Sequence, residues 1–247
     1  MGLFDFLGKK KQGGGEASDR EVMRFERIVG NKLSQNIDRQ EAIEALAKMG
    51  TRASAAALLK RFDWLMDPTI LDSEEKEAAL AGIVRSGEEA IEPIRAYCRK
   101  SVSLTWALKA LAKIVPPERL ADELLALLDQ FDTEYIRNPE PKIQLIDALA
   151  EHVGNDEVRV AVEPFLNDAS EPVRFAAATA LFQLGLAESV TSLVAALETE
   201  ESLRIKNRIA QGLAERKWEV PADMHATCQA ALPMDFRLEG ALIVRRS

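Results

Sequence analysis

Residues 170–185 read SEPVRFAAATALFQLG, and this stretch decides the fold. Ser170 stands where a helix N-cap belongs, with an acid directly after it. From Val173 to Leu184 the apolar residues recur at three- and four-residue steps, the period of a helix with one buried face. Gly185 ends the run, where glycine takes up a left-handed cap without a Cβ penalty. The pattern is that of one amphipathic helix with a defined start and stop.

Overlaying this stretch on the rest of the chain finds five more of its kind. Residues 41–50 (EAIEALAKMG), 78–87 (AALAGIVRSG), 106–115 (WALKALAKIV), 144–154 (QLIDALAEHVG) and 206–216 (KNRIAQGLAER) each carry an apolar stripe and a small residue followed by a large aliphatic. Several end in glycine. The shared aliphatic falls at Leu46, Ile83, Leu111, Leu149, Leu181 and Leu213, with a mean interval of about 33 residues, one helix–turn–helix unit per repeat. A second helical stretch lies between neighbours, at 53–62, 90–99, 120–131, 158–168 and 189–198. Further caps are read at Asp38 and Ser73, and Pro117 and Pro139 fit the first turns of the helices that follow them.

These residues resemble the HEAT-like repeat first associated with phycocyanobilin lyases, whose consensus begins acid-x-V-R and continues through paired alanines to L-G. The likeness is fullest at 170–185, and DEVR at 156–159 carries a related start. It spans about residues 19–216 and implies an all-α α-solenoid of about six HEAT-like helix pairs, because one helix pair cannot bury its apolar face alone. The consensus residues pack and cap. The resemblance therefore speaks to fold and leaves activity open.

Composition narrows the function classes. The 247 residues are 47% hydrophobic and carry a net charge of −8, which opposes phosphate-driven nucleic-acid binding. Two cysteines, Cys98 and Cys228, form no disulfide framework, and a cytoplasmic location is expected. No run reaches the roughly 18 apolar residues of a membrane span.

The ends differ from the middle. Residues 1–18 are read as a flexible peptide with a glycine linker at Gly13–Gly15. Leu3, Phe4, Phe6 and Leu7, followed by Lys9–Lys11, are candidates for a weak contact with a partner's groove, or through residues 1–11 with an anionic membrane surface. Residues 217–247 are read as a capping segment. After Pro233 the chain forms either a last degenerate helix or a small extended hairpin; β-branched Ile243 and Val244 and the Glu239–Gly240 turn favour the hairpin.

His225 and Cys228 are three residues apart but lack the further ligands of a zinc site. No His is followed by Glu, which removes the iron-ligand pattern of HEAT-repeat hydroxylases. Phosphate-loop, nucleophile-elbow and dinucleotide motifs do not occur. No catalytic, cofactor-binding or metal-binding residue is assigned and no cofactor is expected. A lyase acting on a protein-bound cofactor stands as the alternative that the resemblance implies.

The expected function is a protein–protein interaction scaffold with a protein or peptide partner. Two connections, 63–73 and 132–141, exceed the length usual between packed helices. The second offers Tyr135, Ile136 and Arg137. On the helices, Trp106, Lys109, Lys113, Arg174, Lys206, Asn207 and Arg208 are candidates for an acidic or peptide ligand. For Arg174 and Arg204 the competing use is a ladder of ion pairs with acids of adjacent repeats.

Overall fold

The structure, a computed structural model, describes residues 12–246, and the side chains of 18–246. The described backbone divides into two compact units, with the division between Leu120 and Ala121.

In the first unit α1 (Gln12–Val29) is followed by α2 (Asn36–Met49), α3 (Arg52–Leu59), α4 (Thr69–Arg85), α5 (Ile91–Cys98) and α6 (Thr105–Ile114). Helices α2, α4 and α6 pack side by side in one layer, and α1, α3 and α5 form the other. Small residues set the spacing. A Cβ added at Gly82 of α4 would lie 2.8 Å from the Ala47 Cβ of α2. Leu46, Leu58 and Ile83 are fully or almost fully buried between the layers. Each such side chain contributes about 1.5–3 kcal/mol by leaving water.

The boundary falls within α7 (Pro117–Leu128). The second unit holds α8 (Glu140–Ala150), α9 (Asp156–Val162), α10 (Glu171–Leu184), α11 (Val190–Thr199), α12 (Leu203–Arg216) and α13 (His225–Ala231). Here α8, α10 and α12 form one layer, while α9 with its 3-10 extension, α11 and α13 form the other. All six stretches found by overlay thus fall on the α2–α4–α6 and α8–α10–α12 layers; of the intervening stretches, 53–62, 90–99, 158–168 and 189–198 fall on the opposite ones, and 120–131 falls on α7 at the boundary. The chain is an all-α solenoid of helix pairs.

The end of α10 shows how sequence sets an element. Gly185 takes φ 77° and its N–H donates to the Leu181 carbonyl, closing the last turn. Gly50 and Gly154 also have positive φ at the stops read from sequence. The C-terminal segment is the hairpin, β1 (Phe236–Glu239) antiparallel to β2 (Leu242–Arg245), with Glu239 opposite Leu242 across a two-residue turn. It buries Phe236 and Ile243, and β2 lies against α12. An irregular end unit of this kind covers apolar surface that a further repeat would otherwise meet.

Several local readings are corrected. The N-cap of α2 is Gln35, with Asp38 inside the first turn, where its charge complements the helix dipole. Ser73 lies within α4, because that helix starts four residues earlier, at Thr69. The connection read as 63–73 is therefore only 64–68, after a 3-10 turn at Lys60–Asp63. Asp72 draws that first turn of α4 inward by binding Arg61 and Lys76. Pro139 is the N-cap of α8, one residue outside the helix. Helix α1 begins at Gln12 and includes Gly13–Gly15, the run read as a linker; extending a formed helix fixes one residue per hydrogen bond, so glycine is tolerated there at a cost of about 1 kcal/mol each.

Candidate functional site

The layer α8–α10–α12 is tied by a repeated ion pair. Lys142 Nζ donates to Asp168 Oδ2 at 2.7 Å, with both side chains fully buried. Arg174 donates from Nε to Glu200 Oε2 at 2.8 Å and from Nη2 to Oε1 at 2.9 Å. Each acid also accepts the N–H of the serine two residues on, Ser170 from Asp168 and Ser202 from Glu200, and so caps the next helix of the layer. Burial is the largest single effect on Glu200 and works against its charge, but the hydrogen bond and charge of Arg174 together with the N–H groups of Ser202 and Glu201 outweigh it, and the carboxyl is held below its ordinary range. Cation, acid and serine all advance by 32 residues. The next rung would be Lys206 with position 232, which is Leu232. Among the described residues Lys206 has no ion pair.

Candidate Arg174 is thus held in this ladder. Arg204 joins it more loosely, 3.5 Å from Glu171 on an exposed edge.

A second feature lies along the contact of α10 with α12. Arg204 and Arg208 are one turn apart on α12 and face Phe175 and Phe182 of α10. The Arg204 guanidinium carbon sits 3.7 Å from the Phe175 ring centroid, and that of Arg208 4.9 Å from Phe182. Arg208 Nε donates to Thr179 Oγ1 at 3.2 Å. Burial, with Arg216 nearby, pushes the Arg208 guanidinium below its ordinary pKa. Gly212 allows the helices this approach, since a Cβ there would lie 2.4 Å from the Phe182 ring. A cleft of about 270 Å3 remains, lined by Thr179, Phe182, Gln183, Arg208, Glu215 and Arg216 beside Gly212. Arg216 donates to the Phe182 carbonyl and closes the end of α10. Asn207 lines a separate cleft of about 480 Å3 beside β1 and β2.

The connection 129–139 carries Tyr135, 73% exposed, with Arg137 exposed and Ile136 half-buried. It is pinned from beneath. Thr133 accepts the Ala169 N–H at 2.9 Å, and Glu134 accepts Lys142 Nζ at 2.9 Å. The rung that holds the helices therefore also sets the loop that presents Tyr135.

In the first unit, Trp106 stacks on Phe62 at 5.8 Å, and Lys109 Nζ lies 4.4 Å over the Trp106 ring. Lys113 is exposed on the same helix. The unit also holds a charge cluster that sequence reasoning missed. Arg39 and Arg61 both bind Glu75, at 3.0 and 2.7 Å, and Asp72 binds Arg61 and Lys76. Trp64 covers it, its ring 3.8 Å from Arg61. All five charged side chains are buried and mutually satisfied, so the cluster fastens α2, α4 and the 3-10 turn. The apolar spacing of α2 and α4 carried no signal for it, because these side chains enter from the helix ends.

Leu3, Phe4, Phe6 and Leu7 lie outside the described residues. Among the described residues no three His, Cys, Asp or Glu gather where a metal could be held, and no helix is long and apolar enough to cross a membrane. His225 Nε2 is 2.9 Å from the Val220 carbonyl, a bond within the C-terminal segment. Both thiols are buried, and burial raises their pKa, for Cys98 to about 12.

Two family models agree with this architecture. The family of HEAT repeats matches residues 134–214, and the PBS lyase HEAT-like repeat matches residues 38–63. The chain thus carries HEAT repeats in residues 134–214 and a repeat of the PBS lyase HEAT-like type in residues 38–63. The lyase-associated match covers residues 38–63 only and does not favour a lyase activity. No curated protein matches. A solved structure from work on the computational design of self-assembling cyclic protein homooligomers aligns at 16% identity over 88% of each chain, with a TM-score of 0.17.

Proposed function

We propose that this protein is a non-catalytic interaction scaffold that holds a protein or peptide segment against the exposed face of α10 and α12. The observation that carries this reading is the pair of arginines, Arg204 and Arg208, laid on Phe175 and Phe182 along one helix contact. Arginine and aromatic side chains are the types enriched in binding hot spots, and here neighbouring helices hold them in place. Tyr135, raised on its pinned loop, is a further anchor of the same unit. The N-terminal peptide with Leu3, Phe4, Phe6 and Leu7 adds a weak contact to partner or membrane surface. Two linked weak contacts raise avidity. The two unbridged thiols support a cytoplasmic setting.

The test is affinity capture from native lysate with wild-type protein, an Arg204→Ala/Arg208→Gln variant and a version lacking residues 1–15. A partner enriched by wild type and by the truncation but lost by the double variant is expected. Equal capture by the double variant would overturn the assignment to this face. Loss with the truncation alone would move the function to the N-terminal peptide.

A further inference from the structure

Charged side chains on this chain follow a rule. Among the described residues, every buried or half-buried cation other than Lys206 and Arg208 sits on a carboxylate. Examples are Arg39 on Glu75, Lys142 on Asp168, Arg159 on Asp156 and Glu163, and Arg174 on Glu200. Lys206 has its exception explained by the ladder, which ends where the hairpin replaces a further repeat. Arg208 is not at a ladder position. Its guanidinium is nonetheless half-buried and oriented, with Nε held by Thr179 and one face against Phe182. Nη1 and Nη2 have no acceptor among the described residues. Side-chain freedom, which normally opposes binding by arginine, is already restricted here.

We propose that Arg208 is the seat of a carboxylate supplied by the partner, an aspartate or glutamate side chain that enters the cleft between α10 and α12 and accepts from Nη1 and Nη2 together. The proposal rests on the interaction-scaffold reading and names the group that the face recognises. A planar carboxylate matches the two terminal nitrogens of a guanidinium, giving a bidentate, charge-assisted pair. The cleft of about 270 Å3 admits one side-chain end. Its charge selects a single negative group. Arg216 lies near but is engaged by the Phe182 carbonyl, and Glu215, held by Gln211 at 2.7 Å, is on the same wall. A phosphate dianion would bring a second negative charge against Glu215, whereas one carboxylate leaves the pocket balanced. The partner segment is therefore acidic at one fixed position and need not be acidic along its length.

The experiment is an NMR titration of the arginine Nε–Hε resonances of the full-length protein with blocked glutamate (N-acetyl-glutamate amide), and separately with inorganic phosphate, at constant ionic strength. The expected result is a saturable shift at Arg208 in the millimolar range, with the exposed Arg204 little moved, and at least about tenfold weaker binding in Arg208→Lys, read in both proteins from the backbone amide of Gly212 in the cleft, since lysine keeps the charge without the planar pair of donors. Phosphate should bind more weakly than blocked glutamate. Equal response at Arg204 and Arg208, tighter binding of phosphate, or no saturable shift up to about 50 mM would overturn the proposal. The capture experiment separates this from the scaffold reading. A partner still lost by the double variant when the titration is negative leaves the face standing and removes the carboxylate.

Discussion

Lys142 and Asp168 meet at 2.7 Å with neither side chain exposed, and Arg174 and Glu200 repeat the pairing 32 residues further along the chain. Because Asp168 also receives the Ser170 N–H and Lys142 also reaches the Glu134 carbonyl, one rung joins two helices of a layer to the loop that carries Tyr135.

Breaking a rung on one side should be far worse than its net worth suggests. Lys142→Met leaves Asp168 charged and buried, and a loss of about 3–5 kcal/mol is expected. Urea unfolding followed by circular dichroism measures it. A loss under about 1 kcal/mol would mean that water reaches Asp168.

Gly212→Ala sets two effects against each other. Alanine is intrinsically the better helix former by about 1 kcal/mol. The added Cβ, however, would lie 2.4–2.6 Å from three Phe182 ring carbons. Overpacking of this kind costs about 1–3 kcal/mol, so net destabilisation is expected, with partial recovery in Gly212→Ala/Phe182→Leu. Thermal melts of the two variants decide which effect wins.

Acid should weaken both units. In the folded chain Asp72 is held below its ordinary 3.8, because hydrogen bonds from Lys76 and Arg61 outweigh a burial effect that pushes it up. Glu200 is likewise held below 4.5 by Arg174. Each carboxyl thus contributes stability that is fully present above its ordinary pKa. That stability is lost as pH falls through the lower folded-state value, since the unfolded chain takes up its protons first. Midpoints of urea unfolding should be flat from pH 7 to about 5 and fall below about 4.5. In Arg174→Gln the decline contributed by Glu200 should shrink.

Native thiols should be inert. Burial raises Cys98 to about 12 and moves Cys228 in the same direction, so the reactive thiolate is scarce at pH 8. Ellman's reagent is expected to label both only on unfolding, with rates that follow denaturant. Rapid labelling of folded protein would show that α5 or α13 opens locally.

Tyr135→Ala tests the exposed loop apart from the fold. A side chain 73% exposed should change stability by no more than about 0.5 kcal/mol, while retention of a partner that uses this unit should fall. The measurement pairs a thermal melt with the capture experiment.

The helix layers could be read from sequence because their signal is local. A stripe, a small–large pair and a glycine stop are all visible within one turn of Leu46 or Leu181. The hairpin is also legible, from the glycine and the β-branched pair after it, although its turn is Gly240–Ala241, one residue later than Glu239–Gly240, because Glu239 pairs with Leu242 at the end of β1. Helix starts were less so. At Asp38 and Ser73 an acid or hydroxyl looks like a cap, yet it is the tertiary pairing of Asp72 that sets where α4 begins. The ion pairs were hardest, since Lys142 and Asp168 are 26 residues apart and separately look like surface charges. Their recurrence as Arg174 and Glu200, each acid followed two residues later by serine, was the available clue. For Arg174 the position at a helix start already suggests a ladder with acids of adjacent repeats beside a binding role, and the ladder is what the structure holds, while nothing in the sequence distinguishes Arg208 from the other candidates.

The ladder also divides the second unit into lengths that are fixed and lengths that are free. An extra residue between Lys142 and Asp168, or between Arg174 and Glu200, would draw a cation off its acid. The turn at Gly240–Ala241 and the outward arc around Tyr135 lie outside both spans. Variation in chain length among relatives should therefore collect at those two places, and the arc that presents Tyr135 can be remodelled for a new partner without disturbing either pair.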